Sequence, residues 1–327
     1  MVKIRILVTG GAGFIGSNFI RLVLNKYPEC EIVNLDKLTY AADLDNLKDI
    51  EKNPNYKFVK GDICDKDIVA NLVKDTDVIF NFAAETHVDR SIVNATSFIM
   101  SDVFGTYTLL ETARNSGIKK FIHIGTDEVY GSIHNGSFIE ADRLNPTNPY
   151  SASKAGADMI AMSFSQTYGL PITIARSTNN FGPYQHPEKL IPKMIINAIS
   201  NKKLPVYGSG KNVREWLFVE DNCNALYLLL KKGKTGEIYN ISAGNEKTNI
   251  EITKLIVEYL GKGKNLIKFV NDRPGHDFRY SISSKKIRKL GWKPLNIFEE
   301  SLRKTISWYR TNDWWWEKKP SSNINFR

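Results

Sequence analysis

The chain has 327 residues, 42% hydrophobic and 24% charged, with 45 Lys and Arg against 35 Asp and Glu for a formal net charge of +10. These values suit a folded protein with a substantial core and exclude a mainly disordered chain or a coiled coil. No apolar run approaches the roughly 18 residues that a membrane span needs, and the length allows one large domain or two that share a cleft. Excess positive charge would suit nucleic acid, a membrane surface or a phosphate-bearing ligand. The basic residues are dispersed, in short clusters such as Lys231-Lys232 and Lys285-Lys286, and form no nucleic-acid motif. A solvated basic surface with a few site cations is expected, with no nucleic-acid and no membrane partner. The first apolar stretch is too short for a signal peptide and ends in a glycine loop, so a cytoplasmic location is expected. Cys30, Cys64 and Cys223 lie far apart without a C-x-x-C pair, so disulfides and a zinc site are not expected, and no metal is proposed.

Residues 3–8 read as a buried strand, followed by a glycine turn and the helical pattern Phe14–Lys26. A second strand over 31–35 ends on Asp36, and short apolar runs follow at Tyr56–Lys60, 77–82, 119–125 and 171–176. Helix-length stretches separate them. The alternation predicts an α/β fold: a Rossmann-type doubly wound parallel sheet, helices on both faces, joined by right-handed crossovers. Beyond Arg176 the rhythm changes, with helical patterns over 190–200, 221–230, 249–260 and 298–309 and strand-like pieces at Glu237–Ile241 and 266–270. A smaller mixed α/β substrate-binding domain is expected, interleaved with the first. The dinucleotide-binding part should comprise 1–176 plus about 212–240, and the substrate part about 177–211 and 241–327. Residues after Pro320 read as a frayed tail.

Gly10-Gly11-Ala12-Gly13-Phe14-Ile15-Gly16 follows the first strand and opens a helix. Gly10, Gly13 and Gly16 let backbone amides approach a pyrophosphate at a helix N-terminus. A glycine triplet alone could be a tight turn. Asp36, twenty residues beyond Gly16 at the end of the second strand, completes a dinucleotide pattern. Its carboxylate accepts from the adenosine ribose and repels a 2′-phosphate, which favours NAD over NADP; neighbouring Lys37 partly softens that preference. Asp62-Ile63 is placed either to meet the adenine or to cap a helix.

Tyr150-Ser151-Ala152-Ser153-Lys154 sets a phenol and an ammonium four residues apart on one helix face. The cation is expected to lower the tyrosine pKa toward that of a usable general base. Chance produces many such spacings, but this one follows an NAD-type half. Together the two motifs resemble the extended short-chain dehydrogenase/reductase family, over essentially the whole chain.

Gly125-Thr126-Asp127-Glu128-Val129-Tyr130-Gly131 ends a strand at the edge where α/β sites gather. Two adjacent carboxylates beside a hydride-transfer site suggest extra proton work, one held protonated as an acid and the other acting as a base. The bland alternative is a turn with capping residues. Thr126-Asp127-Glu128 is similar to the catalytic signature of the dTDP-glucose 4,6-dehydratase family. So are the stretches beginning Asp36-Lys37-Leu38-Thr39-Tyr40, Ala83-Ala84-Glu85-Thr86-His87, Asn179-Asn180-Phe181, Pro187-Glu188-Lys189, Val213-Arg214-Glu215 and Arg273-Pro274-Gly275-His276-Asp277. Trp314-Trp315-Trp316 also fits that pattern, although on their own these tryptophans read as packing residues. The chain departs from the pattern at Phe278, Glu215 and Phe181.

The resemblance implies that Phe14, Ile15, Asp36, Lys37, Leu38, Thr39, Asp62, Ile63, Ala83, Ala84 and Ser101 line an NAD cofactor. It places Thr86, Thr126, Asn179, Lys189, Leu190, Ile191, Pro205, Val206, Tyr207, Arg214, Asn249, Arg273, His276 and Asp277 around a nucleotide-diphosphate sugar, dTDP-glucose. Arg214 has its own rationale, because a guanidinium can clamp diphosphate oxygens; a solvated surface arginine is the alternative. His87 and His276 are candidate hydrogen-bonding groups. The implied chemistry has Tyr150, with Lys154 and Thr126, oxidising sugar carbon 4; Glu128 removes the carbon 5 proton and Asp127 protonates the leaving 6-hydroxyl. A homodimer pairing helices near 90–115 and 150–168 is also implied. The competing readings are a UDP-glucose 4,6-dehydratase, a nucleotide-sugar 4-epimerase in which the Asp-Glu pair would have no task, and a non-catalytic NAD-binding scaffold. Thymine and uracil differ by one methyl, worth only about 0.8 kcal/mol of burial.

Overall fold

The structure is a computed structural model that describes residues 4–272 and 276–319. Arg273 and the expected tail beyond Pro320 lie outside the described residues. The strands are β1 (Arg5–Thr9), β2 (Glu31–Asp36), β3 (Tyr56–Lys60), β4 (Val78–Asn81), β5 (Lys120–Thr126), β6 (Ile172–Ser177), β7 (Asn179–Phe181), β8 (Leu204–Tyr207), β9 (Val213–Phe218), β10 (Glu237–Ile241), β11 (Glu246–Thr248) and β12 (Ile267–Val270). The helices are α1 (Phe14–Lys26), α2 (Lys66–Val73), α3 (Val88–Val93), α4 (Ala95–Phe98), α5 (Gly105–Ala113), α6 (Pro149–Tyr168), α7 (Leu190–Ile199), α8 (Val219–Lys232), α9 (Asn249–Tyr259), α10 (Lys285–Lys289), α11 (Phe298–Thr311) and α12 (Asp313–Trp316). A π-helical turn, Ile99–Phe104, joins α4 to α5.

A seven-stranded parallel sheet runs β10-β6-β5-β4-β1-β2-β3. Alternate residues of β1 feed opposite faces. Ile6 and Val8 pack with Phe19, Ile20 and Val23 of α1 and Leu226 and Leu229 of α8. Leu7 joins Leu109 and Leu110 of α5 and Phe164 of α6 on the other face. Because the inner strands are covered on both sides, β4 and β6 are buried throughout and read as nearly continuous apolar runs, whereas the edge strand β3 is only half-buried. A second core gathers Ile191, Ile195, Trp216, Ile252, Ile256, Leu302, Tyr309 and Trp315 from α7, β9, α9, α11 and α12.

The elements lie where the sequence patterns put them, with ends displaced by one or two residues. Val213–Phe218 pairs with β7 and β11 in a small three-stranded sheet, and β10 pairs with β6 at the edge of the large one. A strand's own sequence shows that it is buried, not which sheet receives it.

Candidate active site

Two cavities adjoin at the carboxyl edge of the large sheet. The first, about 230 Å³, opens where the strand order reverses around β1. The second, about 510 Å³, is walled by α7, β8, β9 and α9. Lys189 faces both, and its Nζ donates to Thr86 Oγ1 at 2.9 Å.

Around the first cavity, Gly10 has φ of +71°, and a Cβ there would lie 2.6 Å from the Ala83 nitrogen; at Gly16 a Cβ would meet Gly10 O at 2.5 Å. Both positions therefore require glycine. α1 begins without a side-chain cap or an acidic residue in its first turn, which leaves its amides open to an anion. Asp36 accepts from the Ala12 and Leu38 amides at 2.9 and 2.8 Å. Burial raises its pKa and those two bonds oppose the rise. Lys37 Nζ lies 2.6 Å from Asp62 Oδ2, so the cation beside Asp36 is already matched by a carboxylate. The cap of α2 is Asp65, not Asp62. Asp62 and Ile63 line the cavity instead, together with Gly13, Phe14, Ile15, Thr39, Ala83, Ala84, Ser101, Tyr150 and Lys154.

The start of α6 is set locally. Pro149 occupies its first turn, Asn148 Oδ1 accepts from the Ser151 amide at 2.9 Å, and Ser151 Oγ accepts from the Asn148 amide at 3.2 Å. Tyr150 and Lys154 consequently fall on the cavity face. Lys154 Nζ donates to Ile124 O at 2.7 Å. Contrary to the expectation from spacing, the Tyr150 pKa is raised well above the usual phenol value. Burial is the main cause, Glu128 and Asp102 add to it, and a hydrogen bond with Thr126 opposes it. Desolvation and two nearby anions outweigh the local cation.

Thr126 ends β5, and its Oγ1 accepts from the Glu128 amide at 3.3 Å to start a single 3-10 turn, Asp127–Tyr130. Asp127 is buried, with Oδ1 3.3 Å from the Thr126 hydroxyl and Oδ2 lacking a hydrogen-bond partner. Burial, then Glu128 and Glu215, push its pKa far up. The turn thus sets a buried carboxyl, its pKa pushed well up, next to Glu128, which lines the second cavity. Asp102, in the π-helical turn, is a further buried acid that the sequence reading passed over. Its Oδ1 accepts from the Glu85 amide at 2.9 Å and its Oδ2 from Ser153 Oγ at 2.6 Å. Burial raises its pKa to about 6, against the lowering influence of Lys154, Ser153 and the Glu85 amide.

The second cavity brings together Asn179, Lys189, Leu190, Pro205, Val206, Tyr207, Arg214, Asn249 and His276. Asn179 Oδ1, Asn249 Oδ1 and Trp216 Nε1 are buried there without hydrogen-bond partners, a set of polar atoms suited to a polar ligand. Arg214 donates to Val213 O at 2.7 Å and Asp277 O at 3.0 Å and lies 4.4 Å over the Tyr280 ring. His276 Nδ1 is 2.6 Å from Asp272 Oδ1.

Some expected lining residues sit elsewhere. Ile191 belongs to the second core, because α7 turns that side inward. Asp277 stands behind Arg214, accepting from Thr147 Oγ1 at 2.8 Å. Leu38, at φ of +59°, makes the turn with Asp36 and packs on the first core. Thr86 lines the first cavity, not the second, and Thr126 and Asp127 are buried at the end of β5. Glu85, Gln185 and His186 on the first cavity, and Glu188, Trp216 and Tyr280 on the second, were not singled out. Of the departures, Phe181 packs against Trp216, Phe218 and Phe298 ring to ring, Glu215 is a buried carboxyl that accepts from the Gly244 amide at 2.6 Å, and Phe278 is an exposed ring beside His134.

A doubly wound sheet with a glycine loop, a Tyr-Lys helix and an acid pair at one edge defines a protein that works on a bound dinucleotide and a second ligand. Residues 7–305 match the family model described as GDP-mannose 4,6 dehydratase, and the chain belongs to that family. It is 53% identical to the low-salt glycan biosynthesis protein Agl12 of Haloferax volcanii over 94% of this chain and 99% of that one. It is 48% identical to a dTDP-glucose 4,6-dehydratase of Streptomyces niveus, over 96% and 95% of the two chains. Among solved structures, DesIV, a dTDP-glucose 4,6-dehydratase of Streptomyces venezuelae with NAD and dTDP bound, superposes with a TM-score of 0.95 at 47% identity, covering 97% of this chain and 100% of that one.

Proposed function

We propose that this chain is a lyase that converts dTDP-glucose to dTDP-4-keto-6-deoxyglucose, using NAD catalytically. The observation that carries the reading is the buried Asp127 carboxyl beside Glu128, on a turn shared with Thr126 and facing Tyr150. The first cavity fits NAD: the open α1 N-terminus and glycine loop suit a pyrophosphate, and Asp36 suits an unphosphorylated ribose. The paired Lys37 offers no spare charge to a 2′-phosphate. When bound there, NAD supplies reversible hydride transfer. The second cavity takes the nucleotide sugar, with Arg214, Lys189 and Lys193 as cations for the diphosphate and the orphaned Asn179, Asn249 and Trp216 atoms as hydrogen-bond partners.

Tyr150 receives the proton of the sugar 4-hydroxyl as carbon 4 is oxidised. Its phenolate is costly in this environment, and Lys154 on the same helix face is the cation that offsets the cost. Thr126 holds the same hydroxyl. The new ketone acidifies the carbon 5 proton, which Glu128 removes. Asp127 donates its proton to the 6-hydroxyl, which departs as water. A 4-epimerase would have no use for that proton. The test is mass spectrometry of the nucleotide sugar after incubation with trace NAD and either dTDP-glucose or UDP-glucose. Loss of one water without net NADH, faster from dTDP-glucose, is expected. Unchanged mass with inverted configuration would overturn the reading.

The assembly belongs to the same proposal. Ile99, Met100, Phe104, Tyr107 and Met159 are exposed apolar side chains on the π-helical turn, α5 and α6. They suit a homodimer that pairs these helices, which sedimentation analysis would detect. Cys30, Cys64 and Cys223 form no disulfide, which suits a reducing compartment such as the cytoplasm.

A further inference from the structure

The segment between β2 and β3 forms part of the first cavity through Thr39, Ala41 and Ala42. Just beyond these residues Asn46 is buried, with both ends of its amide occupied. Its Nδ2 donates to Ala12 O at 2.7 Å, and its Oδ1 accepts from the Trp315 indole nitrogen at 2.8 Å. The Ala12 carbonyl also accepts from the Asp43 amide at 3.0 Å, while the Ala12 amide donates to Asp36 at 2.9 Å. Ala12, at the centre of the glycine loop, is therefore held through its amide by Asp36 and through its carbonyl by a residue anchored to Trp315 of α12.

That anchor is buried and closely packed. The Trp315 ring is buried against Trp308, Tyr309 and Tyr184, at centroid distances of 5.1, 6.3 and 5.9 Å. Lys319 lies 4.3 Å over the same ring and pairs with Asp43, Lys318 pairs with Asp45, and Arg21 donates to Asn46 O. The Tyr309 hydroxyl donates to the carbonyl oxygen of Gln185, which also lines the cavity. The pair α11–α12 thus holds both the segment next to the glycine loop and a second part of the cavity lining.

We propose that Asn46 and Trp315 act as positioning residues for dinucleotide retention, a clasp that holds the glycine loop and its covering segment closed over the first cavity. The inference rests on the reading of that cavity as the NAD site. Opening the segment would strip partners from a buried amide, a buried indole N–H and the Ala12 carbonyl together. In a reaction that returns its cofactor to the starting state, nothing requires the segment to open at each turnover.

The test compares the full-length protein with Trp315→Phe, which keeps a ring but removes the donor, and Asn46→Asp, which keeps the acceptor for the indole but cannot donate to Ala12. Trp314→Phe, on an exposed neighbour, is the control. Release of radiolabelled NAD into excess unlabelled NAD and dTDP binding by calorimetry are measured for each. NAD release should be roughly tenfold to a hundredfold faster in the first two variants. Their dTDP affinity, and their kcat at saturating NAD, should be unchanged. Release at the parental rate in both would overturn the clasp, as would a parallel loss of dTDP binding, which would mark a general loss of structure. If the parent protein retains no NAD, the cofactor reading itself fails.

Discussion

Asp102 permits a prediction whose sign and size follow from its surroundings. The carboxyl is buried between the π-helical turn, the Glu85 amide and Ser153, and its pKa rises from 3.8 to about 6. Between those values the folded chain holds a proton that the unfolded chain has released, so stability falls as pH rises through the window and levels off above it. About two pKa units at 1.36 kcal/mol each put the accumulated cost near 3 kcal/mol at pH 7. In Asp102→Asn the amide oxygen can still accept from the Glu85 amide, and its NH₂ can donate to Ser153 Oγ, which keeps its bond to Tyr150 O. The variant should therefore be more stable than the parent by up to about 3 kcal/mol above pH 6, with the difference closing near pH 4. Urea denaturation at a series of pH values, with equal slopes for the two proteins, measures this directly. A variant that is no more stable at pH 7.5, or an advantage equally large at pH 4, would refute the account of Asp102 as a buried acid ionised at a cost.

Three further outcomes follow from the site and its supports. Asp127→Asn removes the proton donor while keeping shape; dehydration should slow by about 10²–10⁴, with reduced cofactor accumulating in a single-turnover absorbance experiment because oxidation at carbon 4 proceeds. Asp36→Ser should weaken NAD binding about tenfold and narrow the preference over NADP, read by parallel titrations with the two dinucleotides. Asp158 accepts from Arg176 Nε at 2.7 Å and lies 3.3 Å from His123, all three buried; Asp158→Ala would leave Arg176 without its buried counter-charge and should cost about 3–5 kcal/mol in denaturant unfolding.

The parts of this protein legible in its sequence are those whose causes are local. A glycine loop after a strand, Asp36 at the next strand end, and Tyr150 and Lys154 four residues apart on a helix are set by backbone geometry over a few residues. The structure places all of them on one cavity. What escaped depends on groups brought together from far along the chain. Val213–Phe218 does not read as a strand from its own sequence, and its pairing with β7 and β11 is decided by tertiary packing. Trp315 reads as packing; its indole nitrogen acquires meaning only because Asn46, 269 residues earlier, meets it.

Tyr150 shows the same limit in electrostatics. Spacing alone pairs the phenol with Lys154 and points to a lowered pKa. In the fold Lys154 donates to Ile124 O, while Glu128 from the end of β5 and Asp102 from the π-helical turn face the buried phenol and raise its pKa. The inventory of reactive groups is thus written in short motifs, whereas the protonation state in which each one rests is set by burial and by charges from other segments. Asp127 makes the point in the opposite direction: its position in the motif only allows it to be an acid, and it is the removal of water, reinforced by Glu128 and Glu215, that favours its protonated form. Exposing that turn to solvent would leave every motif residue in place and still abolish the difference between acid and base on which the proposed dehydration depends.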